Sequence, residues 1–157
     1  MAVEFTPETL RKFHDVRARY PNARAAILPT LHLAQREFGW ISPETMEYVG
    51  KLLGLEPIKV LEVVTFYTMF HRKPPGKYHL QVCTNISCAL TGGQGLYRHL
   101  SKKLCLKSGE TSPDGKFTLT EVECLASCGT APMMQVNDKY HEHLTPEKAD
   151  QLLAELP

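Results

Sequence analysis

The chain has 157 residues, of which 43% are hydrophobic, and its formal net charge is +1. This length and composition are ordinary for a globular protein with one domain or two small ones. Neither half carries the excess of charge that nucleic-acid binders and membrane-surface binders show, so we expect neither nucleic acid nor a lipid surface as a partner.

No targeting or membrane-spanning segment is apparent in the sequence. The N-terminus lacks the basic stretch followed by an apolar stretch that a secretory signal requires. No run reaches the roughly 18 consecutive apolar residues that a transmembrane helix needs. We therefore expect a cytoplasmic protein without direct membrane insertion.

Residues 1–70 are predicted to form a small helical bundle of three or four members. Helix starts at about residues 7, 43 and 146 are indicated by three similar triplets: Thr6-Pro7-Glu8, Ser42-Pro43-Glu44 and Thr145-Pro146-Glu147. In each triplet the hydroxyl residue can cap the helix, proline suits the first helical position, and the acid is stabilised by the helix dipole. The first two triplets belong to the bundle.

Two more helices complete the predicted bundle. One is expected from about Asn22 to Phe38, and Pro29 should kink or restart it. A shorter helix is expected from Pro57 to Val64. Gly54 is well placed to end the helix that begins at residue 43, because glycine readily adopts the left-handed conformation of a helix C-terminus.

A domain boundary is predicted in the segment His71–Gly76, which is polar and ends in two prolines and a glycine. We therefore expect a helical bundle in residues 1–73 and a second domain in residues 74–157. The second domain should have the order β-α-β-β-α, which makes the fold class α+β. Its strands are predicted over 78–82, 116–123 and 132–136, with a further short strand near Tyr140, and its helices over 94–106 and 146–155.

The five cysteines are the main functional signal. An odd number in a chain without a signal peptide argues against a disulfide framework. Cys83 and Cys88 form a C-x4-C pair, Cys124 and Cys128 form a C-x3-C pair, and each pair follows a predicted strand. If the two strands are neighbours in one sheet, four thiolates converge, as a [2Fe–2S] cluster requires with two thiolates at each iron. Small residues around both pairs would let backbone N–H groups approach the sulfur atoms.

Other interpretations of these residues were weighed. A structural zinc site also uses four cysteines, and the spacing alone does not exclude it. A dithiol redox site would show C-x-x-C, which is absent. Cys105, between two leucines near a helix end, is expected to be a buried small hydrophobe. The His141-Glu142-His143 segment is expected to be a solvated strand end, and Trp40 a packing anchor or an interface residue.

The sequence resembles a known family at these cysteines. The segments CTNISCALTGG and ECLASCGTAPMMQVND are similar to those of the thioredoxin-like [2Fe–2S] subunit of the NADH dehydrogenase module of respiratory complex I, known in bacteria as its E subunit. In the first half, AAILPTLHLAQREFGWISPE and VVTFYTMF fit the same family. The resemblance covers nearly the whole chain and aligns Cys83, Cys88, Cys124 and Cys128 one for one with the family's cluster ligands.

This resemblance implies a thioredoxin-like fold for residues 74–157 and a role as an electron-transfer subunit without a substrate site of its own. It implies that residues 1–73 dock to a flavoprotein subunit, which holds FMN, the NADH site and a [4Fe–4S] cluster. The [2Fe–2S] cluster of this chain would then exchange single electrons with FMN. The assembly, with further complex I subunits, would lie peripherally on the cytoplasmic side of the inner membrane.

Three alternatives remain at this point. An equivalent subunit occurs in diaphorase units of NAD-linked hydrogenases and of some formate dehydrogenases. A structural zinc module that mediates assembly would use the same four cysteines. A free-standing thioredoxin-like ferredoxin is disfavoured, because a diffusing electron carrier has little need of a 70-residue helical extension.

Overall fold

The computed structural model describes residues 3–157. Residues up to Pro74 form one compact unit, and residues from Pro75 to Pro157 form a second. The division falls within the segment His71–Gly76, one residue after the boundary that the sequence indicates. Proline has no backbone N–H to donate and restricts the residue before it, so neither a helix nor a strand passes through two consecutive prolines.

The first unit consists of helices. Its four α-helices are α1 (Pro7–Ala18), α2 (Ile27–Phe38), α3 (Pro43–Leu53) and α4 (Pro57–Phe66). The predicted caps of α1 and α3 are present: Thr6 Oγ1 accepts a hydrogen bond from the Thr9 N–H at 3.3 Å, and Ser42 Oγ accepts one from the Thr45 N–H at 3.1 Å. Gly54 ends α3 in the left-handed conformation, as expected, with φ +65°.

The helix predicted over residues 22–38 starts later than expected. A three-residue 3-10 helix, Arg24–Ala26, precedes α2, so the change of helix type occurs at Ile27, two residues before Pro29. Pro29 therefore lies in the first turn of α2, where the backbone N–H groups have no partner within the helix and the missing donor costs little. α4 is two residues longer than predicted and ends at Phe66.

The helices of the first unit pack their apolar faces together. Residues without exposed surface come from several elements, among them Ile27 and Leu31 on α2, Val49 on α3 and Val60 on α4. Full burial of one such aliphatic side chain stabilises a fold by about 1.5–3 kcal/mol. The unit thus has a hydrophobic core of its own.

The second unit is built on a five-stranded sheet with the order β2-β3-β1-β4-β5. Its elements are β1 (Tyr78–Cys83), α5 (Ile86–Leu90), α6 (Gly93–Leu104), β2 (Glu110–Thr111), β3 (Phe117–Val122), β4 (Met134–Val136), β5 (Lys139–His141) and α7 (Pro146–Glu155). β1 and β3 are parallel, and the other neighbouring pairs are antiparallel.

The predicted order β-α-β-β-α is present, with three additions. The sequence analysis missed α5 and β2, and the short strand near Tyr140 is β5. Helix α6 ends at Leu104, two residues before its predicted end, because Cys105 adopts a left-handed backbone with φ +55°. The core of this unit lies between the sheet and helices α6 and α7, and includes Leu80, Leu96, Leu100 and Leu119.

All helices of the described chain are short. The longest, α1, α2 and α6, have 12 residues each, whereas a transmembrane helix needs about 20. Within residues 3–157, no helix is long and apolar enough to cross a membrane.

Candidate metal centre

The parallel pair β1 and β3 brings the two cysteine segments to one edge of the sheet. Cys83 is the last residue of β1 and lies opposite Val122, the last residue of β3. Beyond the strands, the Thr84 N–H donates to Val122 O at 3.1 Å. Cys124 follows two residues after Val122. The two strands are therefore neighbours with their carboxyl ends together, which is the arrangement that the cluster hypothesis requires.

Helix α5 brings the second cysteine of the first pair back toward the first. The Asn85 side chain accepts a hydrogen bond from the Ile86 N–H at 2.6 Å, and the Ala89 N–H donates to Asn85 O at 2.7 Å. This short helix reverses the chain directly after β1 and carries Cys88. All four cysteines line one pocket of about 60 Å³, together with other residues of the same two segments: Asn85, Ile86, Ser87, Ala126 and Ser127.

Gly93, the first residue of α6, permits close packing behind the first cysteine pair. A Cβ atom at this position would lie 2.7 Å from Cys83 O and 2.8 Å from Cys88 O. Both distances are shorter than van der Waals contact, and both atoms belong to the backbone. The preceding Gly92 has φ +107°, a conformation that favours glycine. The sequence analysis had not singled out these two positions as packing constraints.

The second cysteine segment has an irregular backbone. Ala126 adopts a left-handed conformation with φ +57°, and its N–H donates to Cys124 Sγ at 3.3 Å. Cys128 begins a three-residue 3-10 helix, Cys128–Thr130. A backbone N–H directed at sulfur stabilises a thiolate, and hence a negatively charged cluster, because it places positive charge beside it.

The two cysteine pairs differ in their exposure. Cys83 and Cys88 are buried and pack with the fully buried Met133, whereas Cys124 and Cys128 are exposed. Burial raises the pKa of the Cys88 thiol to about 11, aided by a hydrogen bond and charge repulsion from Cys83 and by repulsion from Cys128, while hydrogen bonding to the Met133 backbone opposes this rise. Since only a thiolate is a metal ligand, binding of iron here must release the proton of Cys88.

The second segment is also hydrogen-bonded to the end of β5. The Ser127 and Thr130 hydroxyls both donate to Glu142 Oε1, and the Tyr140 hydroxyl donates to Leu125 O at 2.8 Å. The hydrogen bonds from Ser127 and Thr130 lower the pKa of the Glu142 carboxyl. Sequence reasoning missed Tyr140 and Glu142, because their contacts join residues 12 to 15 positions apart that follow no local pattern.

The donor set fits a two-iron cluster better than a single zinc ion. Within residues 3–157, no group of three or more His, Cys, Asp or Glu side chains is arranged around one metal position. A structural zinc site needs four ligands about a single ion. A [2Fe–2S] cluster needs only two thiolates at each of its irons, so its four sulfur ligands surround a larger centre. All five cysteines are free thiols, available as ligands.

The remaining predicted positions lie outside this pocket. The prediction for Cys105 was wrong: its side chain is exposed, because α6 ends before it and the next residue, Leu106, takes the buried place. His141 is partly buried at the end of β5, and burial and the nearby Lys139 lower its pKa. His143 is exposed, and Trp40 is partly buried just after α2.

The family model of the thioredoxin-like [2Fe–2S] ferredoxins matches residues 13–157. The E subunit of NADH-quinone oxidoreductase from Rickettsia felis is 45% identical over 96% of this chain and 92% of its own length. The E 2 subunit of the Rhizobium meliloti oxidoreductase is 49% identical over 87% and 81%, and NADH-quinone oxidoreductase subunit 2 of Thermus thermophilus is 46% identical over 88% and 78%.

Solved structures support the fold. An NAD+-reducing [NiFe]-hydrogenase in the air-oxidised state superimposes with a TM-score of 0.73 over 83% of this chain and 22% of that one, at 19% identity. At this identity the similarity concerns the fold alone. The α+β class, the [2Fe–2S] cofactor and the role of redox subunit in a multi-subunit oxidoreductase, all predicted from the sequence, are confirmed by the family match and the relatives. The chain belongs to the thioredoxin-like [2Fe–2S] ferredoxin family, and within it to the group of NADH-quinone oxidoreductase E subunits.

Proposed function

We propose that Cys83, Cys88, Cys124 and Cys128 ligate one [2Fe–2S] cluster, and that the chain exchanges single electrons with FMN on a partner subunit. The observation that carries this proposal is the common pocket of these four cysteines, at the carboxyl edge of two parallel strands. When bound, the cluster supplies a site that accepts and returns one electron at a time. The chain itself contributes ligands, backbone donors and a partly dry surrounding.

The unequal exposure of the two cysteine pairs gives the site a direction. Cys83 and Cys88 face an apolar interior with Met133, where water is excluded. Cys124 and Cys128 lie at the surface. Electrons therefore enter and leave on the side of Cys124 and Cys128, and the partner must cover this side to bring its flavin near.

Helix α5 offers an apolar contact surface beside this opening. Its large apolar side chains Ile86 and Leu90 are 71% and 82% exposed, and Ile86 also lines the cysteine pocket. Exposed apolar residues that adjoin a functional site are typical of interaction surfaces. We assign this surface to the partner subunit, which in our proposal holds FMN, the NADH site and a [4Fe–4S] cluster.

The helical unit supplies a second docking surface for the same partner. Four apolar residues on and after α4 are exposed by 37–77%: Ile58, Leu61, Phe66 and Met69. Next to them lies an open groove of about 300 Å³, lined by residues of α3 and α4: Pro43, Met46, Glu47, Pro57, Ile58 and Leu61. This patch supports the proposal that residues 1–73 dock to the flavoprotein. Through that partner and further subunits, the chain would lie on the cytoplasmic side of the inner membrane.

The test is metal and spectral analysis of the purified chain. We expect a brown protein with two irons and two sulfides, and a rhombic one-electron EPR signal after reduction with dithionite. A colourless protein with stoichiometric zinc would overturn the assignment and support the assembly module instead.

Isolation of the native assembly tests the partner. We expect a flavoprotein with FMN and the other NADH-quinone oxidoreductase subunits to co-purify with the chain. Hydrogenase or formate dehydrogenase subunits in their place would assign the chain to a related diaphorase unit. A chain that purifies alone from gently lysed cells, with its cluster intact, would contradict the docking proposal.

A further inference from the structure

The segment that carries the two exposed cysteines has little regular structure of its own. Between the end of β3 at Val122 and the start of β4 at Met134, it contains only the 3-10 helix Cys128–Thr130. Ala126 adds a left-handed backbone that costs a non-glycine residue about 1–2 kcal/mol. A segment of this kind needs hydrogen bonds from outside itself to hold its side chains in one arrangement.

The end of β5 provides these hydrogen bonds. The Tyr140 hydroxyl donates to Leu125 O at 2.8 Å, next to Cys124 in the chain. Glu142 Oε1 accepts hydrogen bonds from Ser127 Oγ at 2.6 Å and from Thr130 Oγ1 at 2.5 Å, on the two sides of Cys128. The His143 N–H donates to Thr130 O at 2.9 Å.

We propose that Tyr140 and Glu142 are positioning residues that hold Cys124 and Cys128 in the geometry needed for cluster ligation. This inference rests on the proposed function. Neither residue is a ligand: each acts through the backbone or a hydroxyl of the segment, as outer partners commonly orient the ligands of a metal centre. Glu142 works as a hydrogen-bond acceptor shared by two hydroxyls, because its one oxygen joins both ends of the short 3-10 helix.

Two substitutions of Glu142 separate its acceptor role from its charge. Glu142→Gln removes the charge but keeps a carbonyl oxygen that accepts from Ser127 and Thr130. Glu142→Ala removes both. Glu123→Gln serves as a matched charge control, because Glu123 is exposed and directly precedes Cys124. If positioning matters, Glu142→Gln should behave like the wild-type chain and like Glu123→Gln.

The measurement is the rate at which a strong iron chelator bleaches the oxidised cluster, together with the EPR line shape after reduction. We expect Glu142→Ala to lose its cluster about 10- to 100-fold faster, the range for outer partners of metal ligands, with altered or broadened EPR features. Glu142→Gln and Glu123→Gln should stay within about threefold of the wild-type rate, a difference of less than 1.4 kcal/mol. Tyr140→Phe should accelerate the loss by about fivefold, as one neutral hydrogen bond allows.

The outcomes are distinct. A wild-type chain without a cluster contradicts the proposed function. If the wild-type chain binds a cluster that Glu142→Ala retains equally well, the positioning role is wrong. Equal losses in Glu142→Ala and Glu142→Gln would also overturn it, in favour of a purely electrostatic effect. Should Glu142→Ala fail to fold by circular dichroism, Tyr140→Phe decides, since it removes one oxygen from a side chain that is 46% exposed.

Discussion

The two kinds of cysteine in the pocket have different consequences for substitution. Cys83 and Cys88 contribute to an apolar cluster with Met133, so their replacement changes both the ligand set and the packing. Cys124 and Cys128 are exposed, and their replacement changes mainly the ligand set. The exposed pair is therefore the better place to test ligation by single substitutions.

Cys124→Ser should weaken or abolish cluster binding while the chain stays folded. The expected decrease in cluster retention is at least about tenfold, because a poor alkoxide ligand replaces a thiolate. The unfolding free energy should change by less than about 0.5 kcal/mol, as for other exposed positions. Iron content and the visible spectrum measure the first effect, and circular dichroism the second.

Cys105→Ser is the matched control for that substitution. Cys105 is exposed at the end of α6, and its thiol lies 3.7 Å from Lys102 O rather than in the cysteine pocket. The spectrum and iron content should equal those of the wild-type chain. A bleached Cys105→Ser protein, or an unchanged Cys124→Ser protein, would show that the ligand set is wrong.

Gly93→Ala should destabilise the apo chain and disturb the cluster, whereas Gly95→Ala should not. A Cβ at Gly93 would meet two backbone oxygens at 2.7 and 2.8 Å, but a Cβ at Gly95 would have no atom within 4 Å. Overpacking of this kind costs about 1–3 kcal/mol. In a helix, exchange of glycine for alanine gains up to about 1 kcal/mol, so Gly95→Ala should be neutral or stabilising.

Chemical denaturation and EPR check these two glycine variants. Because the oxygens that would be displaced belong to Cys83 and Cys88, we expect a changed EPR spectrum in Gly93→Ala beside its lower stability. Identical spectra and equal stabilities of the two variants would rule out a packing role for Gly93.

At the residue scale, the sequence revealed the groups whose chemistry is set by spacing. The four pocket cysteines and the caps Thr6, Ser42 and Thr145 follow local patterns that depend on a few neighbouring positions. Cys105 was wrongly expected to be buried, since its leucine neighbours suggested a continuing apolar helix face. Its left-handed backbone, which ends α6, has no clear signal in the letters around it.

Among the elements, α5 links ligation to recognition. This helix carries Cys88 on its buried side and presents Ile86 and Leu90 to the surface. Its start is fixed by the Asn85 side chain, an N-cap signal that the sequence contained and that the sequence analysis did not use. The two-residue strand β2 was missed for another reason: only its pairing with β3 defines it.

A double substitution, Ile86→Asp with Leu90→Asp, should weaken binding to the flavoprotein subunit and leave the cluster intact. Burial of two acids in an apolar interface should cost at least about 2 kcal/mol, which corresponds to roughly a 30-fold loss of affinity. Titration of the purified flavoprotein with each variant measures the affinity, and EPR verifies the cluster.

Tyr20→Asp is a suitable control for this pair, because Tyr20 is a 36% exposed aromatic residue outside α4 and α5. Its affinity should equal that of the wild-type chain. If the α5 double variant binds as tightly as the control, the partner contacts another face of the second unit, and the route of electrons through the side of Cys124 and Cys128 must be reconsidered.

At the scale of the whole molecule, each unit has its own hydrophobic core, and the residues proposed to hold the cluster all belong to the second. The sequence predicted this division through its change of pattern and its paired prolines. It could not predict which faces stay exposed, because exposure of the apolar residues on α4 depends on how the helices pack. Docking surfaces and ligand sites therefore occupy separable parts of the chain.

The fragment of residues 75–157 should fold, bind the cluster with an unchanged EPR spectrum, and bind the flavoprotein weakly. Its core and all four proposed ligands are present, so the spectrum depends on nothing that has been removed. Loss of the α4 surface removes one of two linked contacts, and such linkage raises affinity by about 100-fold or more. Calorimetric titration of the flavoprotein with the fragment and with the full chain measures the difference. A fragment that binds as tightly as the full chain would show that the helical unit has a purpose other than docking, and a fragment that folds without binding a cluster would show that the ligand site needs the helical unit.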